Sequence, residues 1–162
     1  MENNVMLSVK DLKKYFNTSN GTLHAVDNVS FDILKGTTLG VVGESGCGKS
    51  TLGRTVLHLL PATSGQIVFN GRDISKVTKH ELHELRKEMQ IIFQDPFSSI
   101  DPRMSVEQLI AEPLKIHKLA KSKDEIRKKV REVMDTVGLA SRLANSYAHE
   151  LDGGRRRRIG IG

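Results

Sequence analysis

The chain has no tryptophan, and aromatic side chains make up only 4% of its 162 residues. Its core must therefore be built from Leu, Ile, Val and Met, and no stacking platform of alternating rings and cations is written in it. It has a single cysteine, Cys47, which excludes an internal disulfide and fits a reducing compartment. No apolar run approaches the ~18–20 residues that a membrane-spanning helix needs. The opening Met1-Glu2-Asn3-Asn4 has neither the basic nor the apolar region of a signal peptide, so the chain reads as cytosolic. Acidic residues are in the minority, 19 Asp and Glu against 25 Lys and Arg, for a net charge of +6. Much of the excess lies in Lys121-Ser-Lys123, Arg127-Lys-Lys129 and Arg155 to Arg158. The middle group falls on the polar side of an amphipathic helix pattern, where charge marks a solvated face. The reading is therefore against nucleic acid as a partner.

What is present is concentrated in residues 43 to 51, Gly-Glu-Ser-Gly-Cys-Gly-Lys-Ser-Thr, which fit the pattern G-x-x-x-x-G-K-[ST]. Glycines at these positions let successive backbone N–H groups turn inward and form a concave anion site. Lys49 adds a point charge that can reach terminal phosphates. The Ser50 hydroxyl can complete the oxygen shell of Mg²⁺, which keeps several waters of its own. Cys47 lies inside the loop and reads as a small filler. The flanks suit the motif: Thr38-Leu-Gly-Val-Val42 reads as a buried strand, and Lys49 to Leu60 as a helix ended by Pro61. Strand, loop and helix in that order imply nucleotide binding through Gly43, Glu44, Ser45, Gly46, Cys47, Gly48, Lys49, Ser50 and Thr51.

The remaining pattern divides the chain. Residues 5 to 9 and 23 to 33 read as strands, the second from the alternation Leu23, Ala25, Val29, Phe31, Ile33. Gln66 to Phe69, Asn70-Gly71 and Arg72 to Ile74 read as a hairpin, because Asn-Gly suits a type I′ turn. Lys79 to Glu88 reads as a helix, and Gln90-Ile-Ile-Phe93 as a short buried strand. Pro96 and Pro102 make the next stretch a loop. Helices follow. Ser105 caps one that runs to about His117, and Ser122-Lys-Asp-Glu125 forms a capping box. Behind that box Ile126, Val130, Val133 and Val137 share one face, and Gly138 is placed to end the helix. Residues 1–102 are thus expected to form a β-layer and part of a phosphate-loop core, and residues 103–162 a helical subdomain.

Two further stretches are informative in combination with the phosphate loop. One is Phe93-Gln-Asp-Pro-Phe-Ser-Ser-Ile-Asp-Pro-Arg-Met104. The other is His149-Glu-Leu-Asp-Gly-Gly-Arg-Arg-Arg-Arg158. In this order and at these spacings the three resemble the ATP-binding subunits of ABC transporters, specifically the oligopeptide and dipeptide importer group. The resemblance covers the whole chain. It implies an α/β fold, a P-loop NTPase of ABC type with an N-terminal antiparallel β-layer and a helical subdomain. It implies ATP and Mg²⁺ as cofactors, with ATP hydrolysed by a head-to-tail dimer. The implied partners are a second ATP-binding subunit, transmembrane permease subunits and, indirectly, an external solute-binding protein. The implied location is peripheral, on the cytoplasmic side of the membrane.

By the same resemblance, Tyr15 stacks on adenine. Its ring offers a flat apolar face for this, and its hydroxyl is dispensable to stacking. Gln94 contacts Mg²⁺ and the attacking water, so Lys49 and Gln94 are the catalytic residues and Ser50 and Gln94 the metal contacts. Leu151, Asp152, Gly153, Gly154 and Arg155 fall on the signature that closes over the partner's ATP. The family's signature usually reads L-S-G-G-Q-x-Q-R, so Asp152 replaces Ser and Arg155 replaces Gln. An unscreened carboxylate ~4 Å from a phosphate charge costs about 4 kcal/mol at an effective dielectric of ~20. Arg155, three residues on, is placed either to neutralise Asp152 or to reach the phosphate itself.

The family also has an apolar strand ending in Asp-Glu and a later switch histidine, and neither pattern occurs in this sequence. The resemblance therefore implies a truncated subunit with poor turnover. Two alternatives stay open: a non-catalytic nucleotide-binding module, and a soluble ABC-fold ATPase acting on nucleic acid or ribosomes.

Overall fold

The structure is a computed structural model that describes residues 4–93 and 100–161. It comprises two compact units, residues 1–90 and 91–162.

In the first unit β1 (Val5–Thr18) and β2 (Gly21–Leu34) form a long antiparallel hairpin. β3 (Ser64–Phe69) pairs with the other edge of β1, and β4 (Arg72–Asp73) with β3, giving the order β2-β1-β3-β4. Both strands of the first hairpin are longer than their alternation predicts. The β3–β4 turn is as expected: Asn70 and Gly71 have φ of 48° and 78°, the left-handed pair a type I′ turn requires. Alternation places Leu7 and Val9 opposite Phe69 and Ile67 in the ladder. With Leu12, Val56 and Ile74 these form an aliphatic core. Full burial of each such side chain is worth about 1.5–3 kcal/mol relative to exposure.

Helix α1 (Lys49–Val56) packs on this layer through Leu52 and Val56. It is shorter than the pattern predicts. The chain turns left-handed at His58 (φ 55°), so Pro61 is not what ends it. The His58 N–H donates to the Thr55 carbonyl and the Leu59 N–H to the Arg54 carbonyl. That is a Schellman closure with histidine in the place glycine usually takes. Helix α2 (Lys79–Glu88) has the predicted bounds, fixed by a reciprocal box between Thr78 and Glu81.

Two expected strands are not formed. Residues 38–42 and 90–93 pair with no strand among the described residues. Val42 is 93% exposed and Ile92 68%. An apolar run marks what a strand would bury, but a strand exists only where a neighbour accepts its ladder hydrogen bonds.

In the second unit α3 (Val106–Ile116) is capped by Ser105 in a box with Gln108. Helix α4 (Lys123–Thr136) is capped by Ser122, which accepts from the Glu125 N–H. The Glu125 carboxylate reaches back to the Lys121 N–H rather than to Ser122, so the expected box closes one residue early. Gly138 ends this segment with φ 69°. The expected stripe is present, with Val130 buried and Ile126, Val133 and Val137 half-buried. Met134 joins them at the centre, together with Val106, Ile110, Leu139 and Leu151. A final helix, α5 (Gly153–Ile161), contributes Ile159.

Candidate functional site

The first unit holds the phosphate loop between residue 42 and α1. Gly46 and Gly48 have φ of 82° and 96°, a conformation that L side chains rarely adopt. Gly48 is also the residue before the helix, and a Cβ there would stand 2.1 Å from the Ala25 carbonyl oxygen in β2. The loop is thus pressed against the β-layer at a point only glycine allows. The Lys49 ammonium folds back over the loop and donates to the carbonyls of Gly43 (2.9 Å) and Glu44 (2.6 Å). Ser50 and Thr51 occupy the first turn of α1, where backbone N–H groups have no partner within the helix. The Thr51 carbonyl accepts from the Thr55 hydroxyl (2.7 Å). Cys47 was expected as a filler but is exposed, with Sγ 3.6 Å from the Lys49 Nζ. Residues 43–51 therefore combine features that suit an oxyanion: two left-handed glycines, a helix start and one lysine ammonium lying over the loop.

Tyr15 lies in the same unit, on β1 directly opposite His24 of β2. The two rings stack with centroids 3.9 Å apart and planes 16° from parallel. The Tyr15 hydroxyl donates to an Asp27 carboxylate oxygen. The Lys13 ammonium lies 4.0 Å from that carboxylate and the His24 ring nitrogen 3.6 Å. The bond to Asp27 raises the Tyr15 phenol above its ordinary value and, from the other side, lowers the Asp27 carboxyl. So the hydroxyl read as dispensable has a partner. Neither His24 nor Asp27 was identified as a site residue from the sequence, although counting back from a turn at Ser19-Asn20 puts His24 across from Tyr15.

The signature residues belong to the second unit. Leu151 is buried. Asp152 precedes α5, and its carboxylate accepts from the Arg155 N–H at 2.8 Å. The Arg155 Nε lies 3.3 Å from the other carboxylate oxygen. The Arg155 N–H, followed by the Arg155 charge, holds the Asp152 carboxyl below its usual range. Gly153 and Gly154 form the first turn of the helix. The other arginines are not simply a solvated run. Arg156 donates to the carbonyls of Leu151 (2.7 Å) and His149 (3.2 Å), and Arg158 to that of Gly138 (2.7 Å). Gln94 lies outside the described residues. No cluster of His, Cys, Asp and Glu suited to a metal occurs among the described residues. Ser50 remains the one described candidate for a metal contact, as a phosphate-loop hydroxyl.

A family model described as ABC transporter matches residues 26–162. The oligopeptide transport ATP-binding protein OppF of Bacillus subtilis is 53% identical over 157 residues, covering 96% of this chain and 52% of that protein. AppF of the same organism, also an oligopeptide transport ATP-binding protein, is 45% identical over 164 residues, covering 96% of this chain and 50% of AppF. The chain spans about half the length of the curated relatives it matches. Among solved structures, the ATP-binding cassette MJ0796, in a dimeric post-hydrolysis state bound to ADP and Pi, superposes with a TM-score of 0.84. It is 26% identical, and the match covers 96% of this chain and 67% of that one. CbiO1 of Clostridium perfringens, part of the ABC transporter complex cbiONQ, gives a TM-score of 0.76 at 30% identity, covering 98% and 60%. No helix among the described residues is long and apolar enough to cross a membrane. With the phosphate loop and the signature in order along a cassette fold, the chain belongs to the ABC transporter family.

Proposed function

We propose that the chain is the nucleotide-binding part of an ATP-binding subunit that powers import of peptides. The observation that supports this most is the phosphate loop. Gly48 is held against the Ala25 carbonyl, and Lys49 rests on loop carbonyls from which a phosphate can draw it. In this reading residues 43–51 bind the phosphates of ATP, Tyr15 stacks on adenine, and Ser50 with Gln94 contacts Mg²⁺. When bound, the metal offsets charge on the terminal phosphates. Residues 1–102 act as the nucleotide-binding portion and 103–162 as the helical portion. Asp152, Gly153, Gly154 and Arg155 face the nucleotide held by a second ATP-binding subunit in a head-to-tail pair, and Leu151, expected among them, instead anchors the segment from the core of the helical unit. The pair works on the cytoplasmic face of permease subunits, which an external solute-binding protein supplies. Peptides are the solute class because OppF and AppF, the oligopeptide transport proteins named above, share about half of the chain's residues.

Hydrolysis by these 162 residues alone is proposed to be very slow, because no apolar strand ending in Asp-Glu is among them to hold the metal's water shell and the attacking water. The test is ATP affinity and turnover on the purified chain, parent beside Lys49→Ala. Loss of a charge-assisted contact to phosphate should weaken binding by about 1.5–3 kcal/mol. Equal affinity in the variant would sink the phosphate-loop reading, and turnover at the rate of a whole cassette would refute slow hydrolysis.

A further inference from the structure

A base platform is useful only if it stands at a fixed place relative to the phosphate cradle, and β2 supplies both fixings. Lys14 pairs with Val26, but the next residue, Tyr15, pairs with His24. Ala25 is thus the extra residue of a bulge, a device that re-aims the chain beside it. Its carbonyl is the atom that packs on Gly48. One residue before the bulge, the His24 ring lies flat against Tyr15, and two residues after it, Asp27 accepts the Tyr15 hydroxyl. The same short stretch of β2 therefore touches the phosphate loop at one point and the Tyr15 ring at two.

We infer that His24 and Asp27 are positioning residues that fix the Tyr15 ring, through the Ala25 bulge, in register with the phosphate loop. His24 covers one face of the ring, so adenine takes the other. Asp27 holds the ring's far end and stops it rotating about its side-chain bonds, so the platform does not have to be ordered when the base arrives. Both side chains are about half exposed, at 52% and 51%. Replacing them therefore removes the frame without opening the core.

The inference rests on the reading that Tyr15 binds adenine, and the experiment separates the two. Affinities for ATP, ADP and tripolyphosphate, which has no base, are measured for the parent, Tyr15→Ala, Tyr15→Phe, His24→Ala, Asp27→Ala and Asp27→Asn. His24→Ala and Asp27→Ala should each weaken ATP and ADP alike by about three- to tenfold, the size of one aromatic pair or one hydrogen bond, with tripolyphosphate unchanged. Tyr15→Phe should match Asp27→Ala, since each removes one end of the same bond, and combining them should add nothing. Asp27→Asn keeps an acceptor and should restore nucleotide affinity. In a Tyr147→Phe background, ultraviolet absorbance reports Tyr15 ionisation alone. Asp27→Ala should move it to lower pH, because the carboxylate that disfavours the phenolate is gone. If Tyr15→Ala weakens ATP while His24→Ala and Asp27→Ala bind like the parent, the positioning role is wrong and adenine stacking survives. If Tyr15→Ala binds like the parent, adenine sits elsewhere and both readings fail. A parallel loss for tripolyphosphate in Asp27→Ala would also overturn the inference, because the damage would then have reached the phosphate loop.

Discussion

Substituting Gly48 with alanine tests how the phosphate loop is held, and Gly46 supplies the control. Both glycines are left-handed, with φ of 96° and 82°. Forcing an L residue into that region costs about 1–2 kcal/mol at either position. The loss of freedom in the unfolded chain returns ~0.4–1 kcal/mol, again at both. They differ in what a Cβ would meet. At Gly46 nothing lies within 4 Å, whereas at Gly48 the Ala25 carbonyl oxygen stands at 2.1 Å. That is roughly 1 Å or more short of ordinary contact, and the obstacle is strand backbone rather than a flexible side chain. Relieving it requires moving β2 or the loop, at the ~1–3 kcal/mol typical of overpacking. Gly46→Ala should therefore cost about 1 kcal/mol, and Gly48→Ala about 2–4 kcal/mol. Urea unfolding of the two variants beside the parent measures the difference, and ATP titration should show the larger loss in Gly48→Ala. If Gly48→Ala were no less stable than Gly46→Ala, the loop would not be seated on β2. The link between phosphate loop and base platform would then fall as well.

Three further outcomes can be checked directly. Asp152→Ser and Arg155→Gln, made singly and together in a full-length subunit, should be non-additive in ATPase rate, with the double change recovering activity; strictly additive effects would dissolve the pair. Burial lowers the His58 pKa below its ordinary value, so folding opposes its protonation. The sign follows: both states are neutral at high pH, and as pH falls below about 6.5 the unfolded chain takes up the proton first, so stability drops. In thermal unfolding against pH, His58→Asn should flatten that acid limb while keeping the left-handed turn, and an unchanged limb would assign the drop to other groups. Arg158→Ala should destabilise the helical unit by about 1 kcal/mol through loss of the bond to the Gly138 carbonyl, read by thermal melting.

Helix ends proved the most legible part of the sequence. Ser105, Ser122 and Gly138 each act within three or four residues of themselves, so their effect needs nothing from the rest of the chain. Helix α2 came out with its expected bounds for the same reason. The Asn70-Gly71 turn is equally local. The end of α1 was misplaced because the stop lies in backbone conformation at His58, a residue whose type gives no hint of a left-handed turn. Residues 38–42 and 90–93 were misread for a different reason. Their apolar runs are real, but strand formation is a property of a pair, and no partner strand stands beside them among the described residues.

The site divides along the same line. The proposed phosphate site at residues 43–51 could be read from residue types alone, because such a cradle, made of backbone and one lysine, would be a contiguous object. The proposed base platform was legible only in part: the resemblance points to Tyr15, whereas His24 and Asp27 on β2 are joined to it only by register. Asp152 and Arg155 stand between these cases. Their spacing allowed either a pair or an Arg155 that reaches the phosphate, and the structure forms the pair twice over, by a backbone donor at 2.8 Å and a guanidinium at 3.3 Å. Both of Asp152's oxygens are thereby engaged by the start of its own helix. A phosphate brought to that helix would meet a carboxylate already neutralised by Arg155 rather than a bare negative charge. A substitution that looks disabling when read one position at a time is thus electrostatically tolerable as a pair. It remains tolerable only while Arg155 stays on Asp152, because an arginine that left to reach the phosphate would uncover the charge it had balanced.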